Sequence, residues 1–413
     1  MKHLIIGNGP AGIIAAECLR KLDPTAEISV VGDEAEPPYS RMAIPYLLAG
    51  NIDEQGTHLR KGAGHFERLN IRLLHGRAEK LDARAGRVTL SGGETLAFDR
   101  LLIASGSHAV RPPGMDLPGV HTCWTLNDAR MIAALAKPGA RVLQIGAGFI
   151  GCIILEALVA RGVKLAVVEM GDRMVPRMMT EAAGQMIRRW VEGRGVEVHV
   201  NARVESLSQQ GASLSAKLST AETLSADLVI CAAGVAPNVA FLEGSGIAIG
   251  KGILVDASMQ SSIPGIYAAG DVSEAADFHG GLPIINAIQP NAADQARVAA
   301  SNMAGLASEV TGSLAINVLD TLGLISTSFG QWEGTGDGVE LSDEQRFRYL
   351  SLQFKGDVLI GATAIGLTDH VGALRGLIQG RVRLGPWKRR LLADPTRFMA
   401  AYLGAVGAAQ KVA

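Results

Sequence analysis

Apolar runs recur along the chain, and each closes on glycine or an acid. The first, "KHLIIG", reads as a strand. "AGIIAAECLRKLD" follows with apolar positions at helical spacing and ends before Pro24, which cannot continue a helix. "EISVVGD" reads as a second strand. The plan repeats from residue 141: "RVLQIG" as strand, "IGCIILEALVARG" as helix, "KLAVVE" as strand. Two short runs, "LLIASGS" (Leu101–Ser107) and "YAAGDVSE" (Tyr267–Glu274), pass from apolar residues into small-residue turns. Later, "FRYLSLQFKGDVLIGATAIG" alternates and breaks at Lys355-Gly356-Asp357 as a hairpin does, and Arg-rich helical material follows. Strands alternating with helices predict an α/β chain whose internal repeat is the pair of β-α-β units.

Both first turns carry G-x-G-x-x-G: Gly7, Gly9 and Gly12, then Gly146, Gly148 and Gly151. One such match is weak. Here each has a strand before it, a helix after it and an acid at the end of the next strand. Asp33 lies 21 residues past Gly12, and Glu169 lies 18 past Gly151. The first glycine makes the tight turn, the second lets a pyrophosphate approach, and the third packs the helix on the sheet. The acids would take ribose hydroxyls. Two dinucleotide-binding (Rossmann-like) domains are therefore expected, holding two nucleotides. Glu169 would repel a 2′-phosphate, which favours NAD(H) at the second fingerprint. Arg173 either serves a phosphate there or is a solvated loop charge.

Composition narrows the class. The 413 residues allow two or three domains. With 39 basic and 40 acidic residues, there is no electrostatic reason to expect nucleic acid or an anionic membrane as partner. No apolar run reaches the ~18 residues of a membrane span, and "MKHLII" enters a strand directly rather than a signal peptide. Cys18, Cys123, Cys152 and Cys231 form no C-x-x-C and no metal-ligand spacing, so no bound metal is expected. A cytoplasmic location is the expectation.

These four motifs, in this order, resemble the two-dinucleotide-binding flavoprotein reductases, the pyridine nucleotide oxidoreductases that include rubredoxin and ferredoxin reductases, NADH oxidases and the N-terminal part of nitrite reductase. The resemblance implies a third, C-terminal α+β interface domain. It divides the chain into the first part of an FAD domain (1–110), an NAD domain (111–236), the second part of the FAD domain (237–312) and the interface domain (313–413). It assigns FAD to Gly7, Gly9, Pro10, Ala11, Gly12, Asp33, Arg41, Ala78, Ala104, Ser105, Gly106, Gly270, Asp271 and Gln289. Within that set Asp271 meets the ribitol, Ala78 the adenine and Gln289 the flavin ring edge. It assigns NAD to Gly146, Gly148, Phe149, Ile150, Gly151, Glu169 and Gly234. The cofactors carry the chemistry, passing hydride between nicotinamide and flavin.

Departures from the family matter for the electrons' exit. In "PPYSRMAIPYLLAG" thiol-using relatives carry cysteine after the serine, and here stands Arg41. The Lys–Glu pair that rubredoxin and ferredoxin reductases often place beside flavin N5 is replaced by Tyr46 and Ile153. Tyr46 either stacks near the flavin ring or only packs under it, and Glu156 is a weaker candidate for that place. No catalytic side chain is assigned. Three exits remain: an iron–sulfur carrier, O2, or no turnover in a nucleotide-sensing flavoprotein. The same stretch, "PNAADQA" and the C-terminal sequence resemble the flavoprotein subunits of multi-subunit aldehyde (tungsten) and phenylglyoxylate oxidoreductase complexes. That favours an iron–sulfur protein or subunit as partner, in a homo- or hetero-oligomer. Arg375, Arg381, Arg383, Lys388, Arg389 and Arg390 lie within sixteen residues and would either dock an acidic partner or form a solvated face.

Overall fold

The computed structural model describes residues 1–410. The chain forms two compact units, each assembled from separate stretches. The first contains Met1–Ala43, Ile52–His108 and Val235–Leu314. Its centre is a parallel five-stranded sheet in the order Ile266–Ala268, Arg100–Ile103, Lys2–Ile6, Glu27–Gly32, Ile71–His75. The central strand is apolar without alternation because helices or loops cover both its faces. Ile5 joins one core with Ile13, Leu19, Val30 and Leu102, while Leu4 and Ile6 join another with Val31, Leu101 and Ile103. The helices Pro10–Leu22 and Gln289–Met303 pack against each other. Ala15, Ala16, Ala296, Ala299 and Ala300, all fully buried, let their backbones approach closely.

The second unit contains Ile44–Asn51, Ala109–Gly234 and Ala315–Ala413. It repeats the plan with a parallel sheet in the order Glu197–His199, Lys164–Val168, Arg141–Ile145, Leu228–Cys231, Val120–Thr122. A capping box at Thr125 and Asp128 starts the helix Leu126–Leu135. The unit also holds a five-stranded antiparallel sheet in the order Ile316–Thr321, Leu324–Gly330, Val358–Ile365, Arg348–Lys355, Gly338–Asp343. Its central hairpin turns at Gly356, φ +59°, as the alternation predicts. Three helices follow, Gly372–Gln379, Pro386–Ala393 and Phe398–Gln410.

One short segment sits apart from its sequence neighbours. The helix Ile44–Leu48 packs on Leu126–Leu135 and Phe149–Ala160 of the second unit. Arg161 holds it there, donating Nη1 to Leu48 O (3.1 Å) and spending Nε and Nη2 on Ala136 O and Ala133 O (3.0 and 2.7 Å). Among the described residues no helix is long and apolar enough to cross a membrane.

Candidate functional site

The two glycine turns are built alike. Gly7 has φ +112°, and a Cβ on it would overlap the Ala104 carbonyl; a Cβ on Gly12 would overlap Gly7 O. Gly146 has φ +99° and abuts Ala232 O, and Gly151 abuts Gly146 O. At the middle glycines, Gly9 and Gly148, a Cβ would meet nothing within 4 Å. Those two positions are the N-caps of the helices Pro10–Leu22 and Phe149–Ala160, and neither helix has a side-chain cap or an acid in its first turn. Uncapped N–H groups thus face open space, the setting that a phosphate suits. Pro10 and Ala11, then Phe149 and Ile150, form the first helical residues behind these turns. The residues present therefore fit one dinucleotide at each turn.

In the first unit a half-buried carboxylate lies beside its turn. Ser107 Oγ donates to Asp271 Oδ2 at 2.7 Å. Burial pushes the Asp271 carboxyl up, with Ser107 and the charge of Arg41 working against it. Gly270, at φ +82°, leaves room only for contact with Ala11 and Ala292. Gln295 fixes this turn: its Oε1 accepts from Gly270 N–H (2.8 Å) and Ser273 Oγ (3.0 Å). Ser105 and Asn238 exchange hydrogen bonds (2.9 and 2.8 Å), and Asn238 N–H donates to Gly106 O. Gln289 Oε1 accepts from Ser40 Oγ at 3.0 Å. Arg41 pairs with Glu34 at 2.7 Å and lies over the Tyr39 ring. Asp33 is exposed at the end of its strand, and Ala78 is half-buried at the start of Ala78–Asp82. Ser107, Asn238, Gln295 and Glu34 went unnoticed in the sequence. The first two meet partners 164 and 133 residues away, a distance no local pattern reports.

In the second unit Glu169 is buried. Its Oε2 accepts from Ala147 N–H (2.7 Å) and its Oε1 from Gly171 N–H (2.8 Å). It therefore anchors the glycine turn itself, while each oxygen keeps a lone pair for a ribose hydroxyl. Arg173 is not available to a phosphate: it donates to Met179 O (3.1 Å) and Pro176 O (3.2 Å) and pairs with Asp172 (2.7 Å). Gly234, φ +121°, has open space where a Cβ would be and accepts from Val110 N–H. Tyr46 is exposed and belongs to this unit, as do half-buried Ile153 and exposed Glu156. Partial burial, then Asp320, raises the Glu156 carboxyl.

No thiol is poised for chemistry. All four cysteines are free. Burial pushes Cys123 and Cys152 up to about 12 and raises Cys18 and Cys231. Cys18 is half-buried, and the other three are buried. Among the described residues no group of three or more His, Cys, Asp and Glu could hold a metal. His3 is buried on the central strand of the first sheet, Lys2–Ile6.

Two dinucleotide folds with uncapped glycine turns define a flavoprotein reductase of the two-dinucleotide-binding kind. The pyridine nucleotide-disulphide oxidoreductase family matches residues 1–301, and the chain belongs to that family. It is an oxidoreductase using FAD and NAD(H). It is 31% identical over 403 residues to subunit epsilon of the NADH-dependent phenylglyoxylate dehydrogenase of Aromatoleum evansii, covering 95% of each chain. It is 30% identical over 383 residues to the ferredoxin–NAD(+) reductase component of the biphenyl dioxygenase system of Paraburkholderia xenovorans (strain LB400), covering 92% of this chain and 93% of that one. Putidaredoxin reductase, solved in covalent complex with putidaredoxin, shares the fold: TM-score 0.89 at 22% identity, over 97% of this chain and 98% of that one.

Proposed function

We propose that this chain moves electrons between NAD(H) and an iron–sulfur partner, as the flavoprotein subunit of a larger aldehyde- or 2-oxoacid-oxidising complex in the cytoplasm. The observation that carries the reading is the absence of a usable thiol: Arg41 stands where a redox cysteine would, and the four cysteines are held protonated by burial. With no protein group to accept a pair of electrons, the flavin must hand them to an outside carrier. The relative from Aromatoleum evansii, itself named as a dehydrogenase subunit, supports a complex, since the likeness spans 95% of both chains.

When bound, the nicotinamide and flavin supply hydride transfer, and the flavin can release electrons singly. The chain's residues bind and orient. Gly7, Gly9, Gly12 and the Pro10–Leu22 N-terminus cradle the FAD pyrophosphate, Asp33 takes its ribose, Ala78 borders the adenine, and Asp271 accepts from the ribitol. Arg41, Ala104, Ser105, Gly106, Gly270 and Gln289 complete that wall. Gly146, Gly148, Gly151, Phe149 and Ile150 cradle NAD(H), with Gly234 leaving room beside them and Glu169 selecting the unphosphorylated ribose. Residues 1–110, apart from the segment 44–51 that folds with the second unit, and 237–312 then form the FAD domain, 111–236 the NAD domain and 313–413 the interface domain.

The test is purification from the native host under gentle conditions, followed by anaerobic addition of NADH. Bleaching of a co-purified iron–sulfur chromophore at catalytic rate is the expected result. A chain that purifies alone, and whose flavin is reoxidised by air as fast as NADH reduces it, is an oxidase, and the reading fails.

A further inference from the structure

Val175 is fully buried and sits at φ +47°. A β-branched residue in the left-handed region is an outlier that persists only where its surroundings over-determine it, and such outliers gather at ligand sites. The contacts holding Val175 are specific. Its N–H donates to Ala147 O at 2.8 Å, within the second glycine turn. Its carbonyl accepts from Met178 N–H and Met179 N–H. Gln185 Nε2 holds Asp172 O at 2.8 Å. A Cβ on Gly184 would press on Met174 O at 2.6 Å, so the helix Glu181–Glu192 lies tight on this loop. Thr180, the N-cap of that helix, donates Oγ1 to the Tyr349 hydroxyl at 2.7 Å. Tyr349, fully buried on the strand Arg348–Lys355, donates in turn to Glu340 Oε2 at 2.9 Å.

We propose that Tyr349 is a positioning residue for the NAD(H) site: acting through Thr180, it holds the strained loop 170–180 against the Ala147 peptide. Ala147 immediately precedes Gly148 and is pinned through the peptides on both its sides, its N–H by Glu169 Oε2 and its C=O by Val175 N–H. Fixing it fixes the direction of the uncapped N–H groups that would meet a pyrophosphate. A rigid cradle loses less freedom on binding, so the anchor acts on affinity for the nucleotide and leaves the hydride step alone. A loop with no such duty would relax with a glycine at 175. The inference rests on the assignment of Gly148 and Glu169 to NAD(H).

The experiment is anaerobic stopped-flow reduction of the FAD-loaded enzyme over a range of NADH concentrations, comparing wild type with Tyr349→Phe, Thr180→Val and Val175→Gly. Each variant is expected to raise the NADH concentration for half-maximal reduction, Tyr349→Phe and Thr180→Val by about tenfold, the worth of one lost hydrogen bond in a packed site, while the limiting rate stays within about twofold. Tyr349→Phe with Thr180→Val should do clearly less than the sum of the two, because they share one link. Trypsin should cut after exposed Arg177 faster in all three. Val175→Gly relieves the strained φ but also removes a fully buried side chain, so its melting temperature is measured alongside, and NADH binding should weaken while the limiting rate of the folded protein holds. The proposal is overturned if half-saturation is unmoved in Tyr349→Phe and Val175→Gly, or if it moves only in step with a lower limiting rate. Should Tyr349→Phe fail to fold, Val175→Gly alone decides. A different failure marks the underlying assignment: if wild type and Glu169→Ala respond identically to NADH, the nucleotide does not bind at this turn, and the anchor has no substrate to serve.

Discussion

Glu169 Oε2 accepts the Ala147 N–H at 2.7 Å, so the acid that would read the nicotinamide nucleotide's ribose also braces the turn that would hold its phosphates. One side chain therefore carries two duties. In wild type NADH should reduce the flavin faster than NADPH by ~10–100-fold in kcat/KM, since a 2′-phosphate would meet a buried carboxylate, with Arg173 already spent on Met179 O and Pro176 O. Glu169→Ala should lose NADH efficiency without a matching gain for NADPH, because the brace goes with the charge. Stopped-flow reduction at matched concentrations measures both. A simple exchange of preference would show that the brace does not matter.

Asp271 and Ser107 make the corresponding pair in the first unit, 164 residues apart. Burial raises the Asp271 carboxyl, so without a donor from the cofactor its ionised form is held at a cost. Asp271→Asn and Ser107→Ala should each weaken FAD retention, Asp271→Asn by about tenfold or more. Flavin fluorescence after dilution of the loaded protein reads the loss directly. Retention equal to wild type in both would remove Asp271 from the ribitol.

Turnover should be indifferent to thiols. With Cys123 and Cys152 pushed up to about 12, neither forms thiolate at neutral pH. Iodoacetamide should leave NADH–ferricyanide activity intact. A variant with all four cysteines changed to Ser or Ala should keep most of that activity if it folds. Loss of activity with flavin still bound would show that a cysteine carries electrons after all.

His3 gives stability a pH dependence. It is buried with neither ring nitrogen partnered, and burial lowers its pKa from 6.5, opposed in part by Asp23. The unfolded chain therefore binds a proton that the folded chain refuses. This stability is present above about pH 6.5 and is lost as pH falls from there toward the lowered folded value. Melting temperature should drop more steeply between pH 7 and 5 in wild type than in His3→Leu. Equal slopes would mean that other groups, such as half-buried His121, whose pKa burial also lowers, set the profile.

The basic C-terminal stretch is partly committed within the fold. Lys388 pairs with Asp337 (2.8 Å) and reaches Gly356 O (2.6 Å), while Arg390 stacks on Trp387. Reversing Arg381, Arg383, Arg389 and Arg390 to Glu should slow transfer to an acidic iron–sulfur partner at low salt and leave flavin reduction by NADH unchanged. A partner rate that ignores both the charges and ionic strength would place docking elsewhere.

The parallel sheets were legible because their strands are covered on both faces and so read as unbroken apolar runs, as in Lys2–Ile6 and Arg141–Ile145. The strand Val204–Gln210, largely exposed and held by backbone pairing with Ser213–Leu218, carries no such pattern and went unread. The glycine turns announced themselves, since backbone overlap at Gly7 and Gly146 tolerates no other residue. Their supports did not. Gln295 could have been any helical glutamine, and nothing in "GDRMVPRMM" marks Val175 for a left-handed backbone that glycine would adopt freely. Side chains that converge from distant segments leave no local periodicity.

The grip of Arg161 on Leu48 O has a consequence for anyone transplanting nucleotide preference between relatives. The eight residues Ile44–Asn51 fold with the second unit although the chain reaches them from the first. A fragment cut as the continuous stretch 109–234 would lack Ile44 and Leu48, both 1% exposed in the whole chain. It would present a greasy trough along Leu126–Leu135 and Phe149–Ala160, with three guanidinium bonds reduced to two. Such a fragment, which also lacks the part of the unit that begins at residue 315, should aggregate, and adding residues 44–51 should restore its solubility only in part. A chimera that exchanges the specificity half must carry this octapeptide along with it.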